Sequence, residues 1–455
     1  MFTYEKTEAA IPLRLVTETS LVEIKNGIYE SGRNWLTVQG YRGKPNTLCL
    51  VPDAAGRLAQ VFYGVNDSEG VLWALAGLPS LLPTGEYYLE GDWNDEDLSQ
   101  MLVGWGLGHY RFDQFRTIEE PTKPVLYLSQ GAARINAMVE AISLVRNLIN
   151  MPANHMMPQD LEQVARRLAE VHDAEVDVIT GSALLKENFP TIHAVGRASV
   201  HAPRLIELNW GNQDDPLVCL VGKGVCFDTG GLDIKPSSNM RLMKKDMGGA
   251  AHVLGLAKLI MQLELPICLQ VLIPAVDNAI SGDAFRPGDV IHTRLGKTVE
   301  IDNTDAEGRL ILCDALAYAA ENDPDVIIDF ATLTGAARVA MGTEVPAFFA
   351  NDRSLMQKLQ AASTMSNDLI WNLPLHKPYL EKLRSQVADL SNSGDSYGGA
   401  ITAALFLNEF VPNRIPWAHF DVMAWNLRAR PGRPIGGEAM GLLAVFKYLE
   451  MNFVE

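Results

Sequence analysis

A chain of 455 residues exceeds what one hydrophobic core supports, because such cores stop growing at about 250–300 residues, so two domains are expected. With 47% hydrophobic and 20% charged residues, it is too apolar to remain disordered and is ordinary for a globular enzyme. A formal net charge of -17 opposes a general electrostatic grip on phosphates, and nucleic acid is not expected as a principal partner.

The opening Met1-Phe2-Thr3-Tyr4-Glu5-Lys6 has no basic segment followed by an apolar stretch, and no apolar run of about 18 residues exists to span a bilayer. Cytoplasmic residence, with no membrane partner, is the expectation. Up to about residue 125 short apolar runs alternate with turn signals; Asn46–Val51, bounded by Pro45 and Pro52, reads as a strand. This region gathers no metal-ligand or nucleophile residues, which suggests assembly or shielding. Prolines and charge in Glu119-Glu120-Pro121-Thr122-Lys123-Pro124 mark a boundary. After it, Ile135, Met138, Val139, Ile142, Val145 and Ile149 recur at helical spacing, as in a long amphipathic helix ending at the Pro152 turn. The expected division is residues 1–124, a linking helix over 125–150, and a catalytic domain over 151–455.

Beyond residue 150, Leu217–Val221 is an apolar run, Ala250, Val253, Leu254 and Ala257 mark a helix face, and Pro266 stops that helix. Ile267–Ile273 and Val326–Phe330 read as further strands. Alternating strands and helices imply α/β architecture, a mainly parallel sheet covered on both faces. The odd total of five cysteines, four of them in apolar surroundings such as Val218-Cys219-Leu220, reads as buried thiols in a reducing compartment.

Open α/β sheets bind ligands where strands end and loops begin. Three such loops carry unusual residues: Gly222–Gly231, holding Lys223 and Asp228; Asn303–Leu310, holding Asp305, Glu307 and Arg309; and Ala331-Thr332-Leu333-Thr334-Gly335. Carboxylates gathered by loops repel one another unless cations lie between them, and Asp228, Asp246, Asp305 and Glu307 would match two divalent ions. Each residue also has a plainer reading. An acidic residue in a glycine-rich loop is often a turn former or helix cap, Lys223 and Lys235 could be solvated charges, and Arg309 could be a structural ion-pair partner. Spacing alone leaves both readings open. Gly222-Lys223-Gly224 lacks the spacing of a phosphate loop.

The run Asn303-Thr304-Asp305-Ala306-Glu307-Gly308-Arg309-Leu310 matches, at every position, the signature octapeptide of the leucyl aminopeptidase (cytosol aminopeptidase) family, which this sequence closely resembles. Companions stand in that family's order: Lys223 and Asp228, then Lys235 in Asp233-Ile234-Lys235-Pro236, then Asp246 in Met243-Lys244-Lys245-Asp246-Met247. Pro274–Gly282 and Arg286-Pro287-Gly288-Asp289 also resemble it, and the likeness covers roughly residues 145 to 455.

The resemblance implies a C-terminal domain with a parallel-centred mixed sheet flanked by helices, carrying a two-metal site, and a smaller N-terminal α/β domain. It implies an aminopeptidase that removes the first residue of peptides with a free N-terminus by means of a metal-activated water. Lys223, Asp228, Asp246 and Glu307 would surround one metal and Asp228, Asp305 and Glu307 the other, with zinc or manganese expected. A lysine ligand must offer a neutral amine, so Lys223 needs a strongly depressed pKa, which two dications can supply. None of the nine histidines lies in these motifs. Lys235 would polarise the scissile carbonyl, Arg309 would hold a proton-relaying bicarbonate, and Met243, Asn303, Thr332, Leu333 and Gly335 match substrate-binding positions. A homohexamer is also implied.

Two departures stand out. His419-Phe420-Asp421-Val422-Met423-Ala424-Trp425 is bulkier than the family's usual segment, which helps form the pocket for the first side chain, and the N-terminal part is short. Rival readings are a dipeptidase acting on substrates such as cysteinylglycine, a DNA-binding architectural protein, and a catalytically dead scaffold. Retention of all seven motif residues argues against the last.

Overall fold

In the first compact unit, formed by Met1–Glu140 and Arg428–Pro434, six strands make one sheet. The computed structural model describes residues 1–24, 30–66, 70–117, 123–128 and 131–454 of the chain. Strands Phe2–Thr3, Val125–Tyr127, Glu86–Glu90, Ile11–Val16 and Leu58–Gly64 lie side by side and parallel, and Leu48–Pro52 closes the edge antiparallel. The helix Asp95–Gly108 starts at Asn94, whose side chain accepts from the Asp97 N–H, and buries Met101, Leu102, Val103, Trp105 and Leu107. This is the smaller α/β domain. Its Leu48–Pro52 strand begins later than the expected Asn46 because Asn46 adopts a left-handed turn, φ 60°.

The linking helix expected over 125–150 is shorter. Val125–Tyr127 is a strand of the N-terminal sheet, and the helix runs from Ala132 to Asn150 after a left-handed Gly131. The division between units falls inside it, between Glu140 and Ala141. Of the expected boundary at 119–124, residues 119–122 lie outside the described residues.

The second unit comprises Ala141–Leu427 and Ile435–Glu455 and is built on a nine-stranded mixed sheet. Its centre is parallel: Trp417–Asp421, Val326–Ala331, Leu217–Gly222 and Cys268–Asn278 lie in that order. Arg204–Trp210 and Glu175–Thr180 extend one side antiparallel, and Ala347–Ala350 the other. Central strands with both faces covered are mainly apolar, and Val218, Cys219, Leu220 and Val221 are all fully buried. Helices Gly248–Gln262 and Glu307–Glu321 bury nearly their whole lengths among them.

Cys268–Asn278 is longer than the sequence suggests, running through Pro274 rather than ending at Ile273. Its partner Leu217–Gly222 pairs as far as Val221 with Leu272, and the next strand, Gly224–Asp228, resumes with Gly224 opposite Ala275. The proline, which has no N–H, therefore falls where the neighbouring ladder changes hands. Lys223 occupies that break. Its N–H donates to the Phe330 carbonyl at 3.0 Å and its own carbonyl accepts from Ala250 N at 2.8 Å.

Candidate active site

The parallel strands deliver the chemistry at their carboxyl ends. Lys223 follows Leu217–Gly222, Asp228 ends Gly224–Asp228, Thr332 follows Val326–Ala331, and Asp421 ends Trp417–Asp421. Two helices begin at the same place, Gly248–Gln262 just after Asp246 and Glu307–Glu321 at Glu307 itself. A negative side chain at a helix N-terminus is favoured by the exposed N–H groups there.

Close backbone packing pulls these elements together. A Cβ on Gly249 would lie 2.0 Å from the Phe330 carbonyl oxygen, and one on Gly308 would lie 2.5 Å from Lys223 Cε. Only glycine permits either approach. The octapeptide is tied to the preceding loop by Thr304, whose hydroxyl donates to the Gly230 carbonyl at 2.6 Å and accepts from Asp233 N at 2.9 Å. From the other side Asn392 accepts from Asp302 N and Asn303 N and donates to the Asn303 carbonyl at 2.7 Å.

The result is a cleft of about 610 Å³ bordered by all twelve residues picked out above: Lys223, Asp228, Lys235, Met243, Asp246, Asn303, Asp305, Glu307, Arg309, Thr332, Leu333 and Gly335. Lys223 Nζ is 2.7 Å from Asp246 Oδ2 and 2.9 Å from Glu307 Oε1, and donates to the Thr332 carbonyl at 3.2 Å. Lys235 Nζ is 2.8 Å from Asp228 Oδ2 and also contacts Asp305 Oδ1. The other oxygen of Asp228 accepts from Gly230 N and Asn278 Nδ2. Thr332 donates its hydroxyl to Asp246 Oδ1 at 2.8 Å. The Asn303 side chain accepts from Asp305 N at 2.7 Å, so it braces the loop as well as bordering the cleft. Arg309 is anchored through Nη1 on the Asn392 carbonyl at 2.8 Å, leaving Nε without a partner among the described residues.

The donor set fits hard divalent cations. One carboxylate oxygen from each of Asp228, Asp305 and Glu307 lies within 4.8 Å of the others. Asp246 joins them across Lys223. Asp246 Oδ2, Asp305 Oδ1 and Glu307 Oε1 are buried at ion-pair distance from a lysine, yet none receives a well-aligned hydrogen bond. Buried carboxylate oxygens left in that state suit a metal's coordination sphere.

Electrostatics says the same. Burial, then the charge of Asp246, pushes the Asp228 carboxyl up to about 6, and burial with Asp228 nearby pushes Glu307 up to about 8. Burial alone would lower Lys223, but Asp246, Glu307 and Asp228 outweigh it and raise its pKa, so the protein by itself keeps this lysine an ammonium. Only added positive charge can free its lone pair. Lys235 is raised in the same way by Asp228, Glu307 and Asp246 against the effect of burial. Burial draws Arg309 down to about 10, and burial, reinforced by Arg338, draws Lys245 down to about 7.

Six residues the sequence reading did not single out complete the site. Asn278 and Asn392 orient carboxylate-bearing loops. Thr304 ties those loops together, and Asp421 accepts from Leu333 N, Thr334 N and the Thr334 hydroxyl. Lys245 and Arg338 line the cleft. Thr304, Asn278, Lys245 and Asp421 stood inside motifs already quoted; Asn392 and Arg338 had no local signal. Of the bulky residues in the 419–425 segment, Met423 borders the cleft, whereas Trp425 pairs with Gly437 and lies against Lys244, whose Nζ is 5.4 Å from its ring centroid.

The profile described as "Cytosol aminopeptidase family, catalytic domain" matches residues 143–444, and that described as "M17 aminopeptidase, N-terminal domain" matches residues 11–127. The chain is 41% identical over 362 residues to a probable cytosol aminopeptidase of Roseiflexus castenholzii, covering 75% of this chain and 74% of that one. It is 38% identical over 371 residues to a probable cytosol aminopeptidase of Aquifex aeolicus, covering 79% and 75%. A crystal structure of cytosol aminopeptidase from Coxiella burnetii superposes with a TM-score of 0.96 at 48% identity, covering 99% of each chain. The bottromycin maturation enzyme BotP in complex with Mn superposes with a TM-score of 0.88 at 32% identity, covering 97% of this chain and 99% of that one.

Proposed function

Because this chain belongs to the cytosol aminopeptidase family and is a metal-dependent aminopeptidase, we propose that Lys223, Asp228, Asp246, Asp305 and Glu307 hold two divalent ions in the cleft. Zinc or manganese is the proposed pair, the manganese complex of BotP supporting the second. The observation that carries this reading is the set of buried carboxylate oxygens around Lys223 and Lys235 that lack aligned hydrogen bonds. When bound, two such ions supply a polarised carbonyl, an acidified water and an anchor for a free amine.

The protein's own groups set the remaining geometry. Asp228, raised by burial and by Asp246, and Glu307, raised by burial and by Asp228, would both serve as ligands. Lys223 would exchange its proton for a metal bond, and Lys235, at the exposed side of the carboxylates, would donate to the oxygen on which negative charge develops. Arg309, fixed on Asn392 through Nη1 and with Nε unpartnered among the described residues, would supply donors for a bicarbonate ion. Met243, Asn303, Thr332, Leu333 and Gly335 would form the walls against which the first residue lies. Residues 1–124 are assigned to assembly and shielding, with a homohexamer in the cytoplasm as the proposed form. No helix among the described residues is long and apolar enough to cross a membrane.

Neither the dipeptidase nor the DNA-binding reading is favoured by a feature of the cleft. The test is release of the first residue from short peptides by manganese- or zinc-loaded protein, with N-acetylated peptides and chelator as controls. Cleavage confined to free amines and abolished by chelation is expected. Equal cleavage of acetylated peptides would overturn the reading.

A further inference from the structure

Two basic side chains border the cleft with buried nitrogens that lack hydrogen-bond partners among the described residues. Lys245 is only 2% exposed, and its Nζ has no hydrogen-bond partner among the described residues; Nη1 of Arg338 is buried and equally unpartnered. Both face the same space. The two carboxylates whose charge reaches Lys245 are engaged elsewhere: Asp246 with Lys223 and Thr332, and Asp421 with two backbone N–H groups and the Thr334 hydroxyl. The other lysines of the region contrast with this. Lys223 and Lys235 each contact two carboxylates, and Lys244 donates to the Asn150 carbonyl at 2.5 Å.

Leaving a buried nitrogen donor without a partner is costly, whereas a lysine at such a position can usually turn its head to water or to a carbonyl. The unpaired nitrogens therefore await an anion supplied by what enters the cleft. Lys245 stands two residues after Met243, directly before Asp246 and within the electrostatic reach of Asp421, and Arg338 lies on the helix that begins at Gly335. These are the walls assigned above to the substrate's first residue. Met423 borders the same cleft.

We propose that Lys245 and Arg338 form a carboxylate-binding pocket for the first side chain, so that the preferred substrates are peptides beginning with glutamate or aspartate. This rests on the aminopeptidase reading of the cleft and deepens it. A carboxylate would offer an acceptor oxygen to each nitrogen and favour the charged form of Lys245, whereas its uncharged isostere has a single acceptor oxygen and an amide nitrogen that only donates.

The test compares manganese-loaded protein on Glu-Ala-Ala, Gln-Ala-Ala and Leu-Ala-Ala. The kcat/KM for Glu should exceed that for its isostere Gln by at least about tenfold. Lys245→Met should lower the Glu-to-Gln ratio by about tenfold, and Arg338→Met, on a half-buried side chain, should lower it too and serves if the first variant does not fold. Using the ratio cancels general damage to the site. Release of glutamine or leucine with no preference for glutamate would overturn this inference and leave the aminopeptidase reading standing. A ratio unchanged in both variants would remove Lys245 and Arg338 from the assignment. No release from any of the three peptides would sink both readings together.

Discussion

Lys223 Nζ lies 2.7 Å from Asp246 Oδ2, with both side chains almost wholly buried. Without metal this is an ion pair in the interior, and it makes each partner the other's reason for being charged. Lys223 and Asp246 would hold a divalent ion only with the lysine amine neutral, so its proton would have to leave.

Asp246→Ala is therefore expected to lose both metal and activity. The variant keeps Lys223 facing Glu307 at 2.9 Å, so the remaining lysine charge is not orphaned and the chain should still fold. Elemental analysis after extensive dialysis, read against kcat on a free-amine peptide, checks this. A variant holding two ions per chain at full turnover would exclude Asp246 as a ligand.

Lys235 should behave differently. It contacts Asp228 and Asp305 from the cleft side, is only partly buried, and stays charged because the carboxylates outweigh its desolvation. Its removal takes a positive charge from the place where an oxyanion forms but no proposed metal ligand. Lys235→Ala should keep its metal and lose about 10²–10³-fold in kcat, the usual loss for a single oxyanion donor. Loss of metal in this variant would mean that Lys235 organises the ligands.

The sequence already displayed the central strands, because Val218–Val221 and all of Val326–Phe330 except Asp329 are buried apolar residues. It displayed the site as well, since the loops after those strands carry its charged residues. It hid what depends on distant partners. The strand read as Ile267–Ile273 continues through Pro274, because its neighbours exchange at that point. Asn392, nearly 90 residues from the octapeptide it braces, looks like any loop asparagine. The missing counter-ion of Lys245 is likewise invisible until the chain is folded, since the adjacent Asp246 turns to Lys223 instead.

Close approach at Gly249 makes a sharp stability prediction. A methyl group there would sit 2.0 Å from the Phe330 carbonyl oxygen and 2.6 Å from Lys223 N, both backbone atoms of the central sheet that cannot step aside. Gly249→Ala should destabilise the protein by on the order of 3 kcal/mol. Gly282→Ala, with nothing within 4 Å of the added Cβ, is the matched control and should unfold with the parent. Thermal unfolding of the three proteins checks this, and a Gly249→Ala protein as stable as the control would mean that the helix and sheet are less closely seated.

His419 and Asp329 provide a pH-dependent term away from the metal ligands. The His419 Nδ1 is 2.6 Å from Asp329 Oδ1, both side chains are fully buried, and Trp417 Nε1 donates to the other Asp329 oxygen at 2.8 Å. Burial disfavours the imidazolium, but pairing with Asp329 outweighs it and raises the His419 pKa above its ordinary value. The folded chain therefore binds this proton more tightly than the unfolded chain does. The resulting stabilisation is complete below the ordinary histidine range, about 6.5, and fades as pH climbs through the raised folded value. Asp329→Asn removes the charge that holds the proton, so its cost should be greatest at acid pH, about 3–5 kcal/mol for a broken buried pair. At alkaline pH the same substitution exchanges one neutral-histidine hydrogen bond for another and should cost about 1 kcal/mol. The gap in unfolding midpoint between parent and variant, followed from pH 6 to pH 9, should accordingly narrow; a gap independent of pH would mean that His419 is neutral throughout and that the pair is an ordinary hydrogen bond.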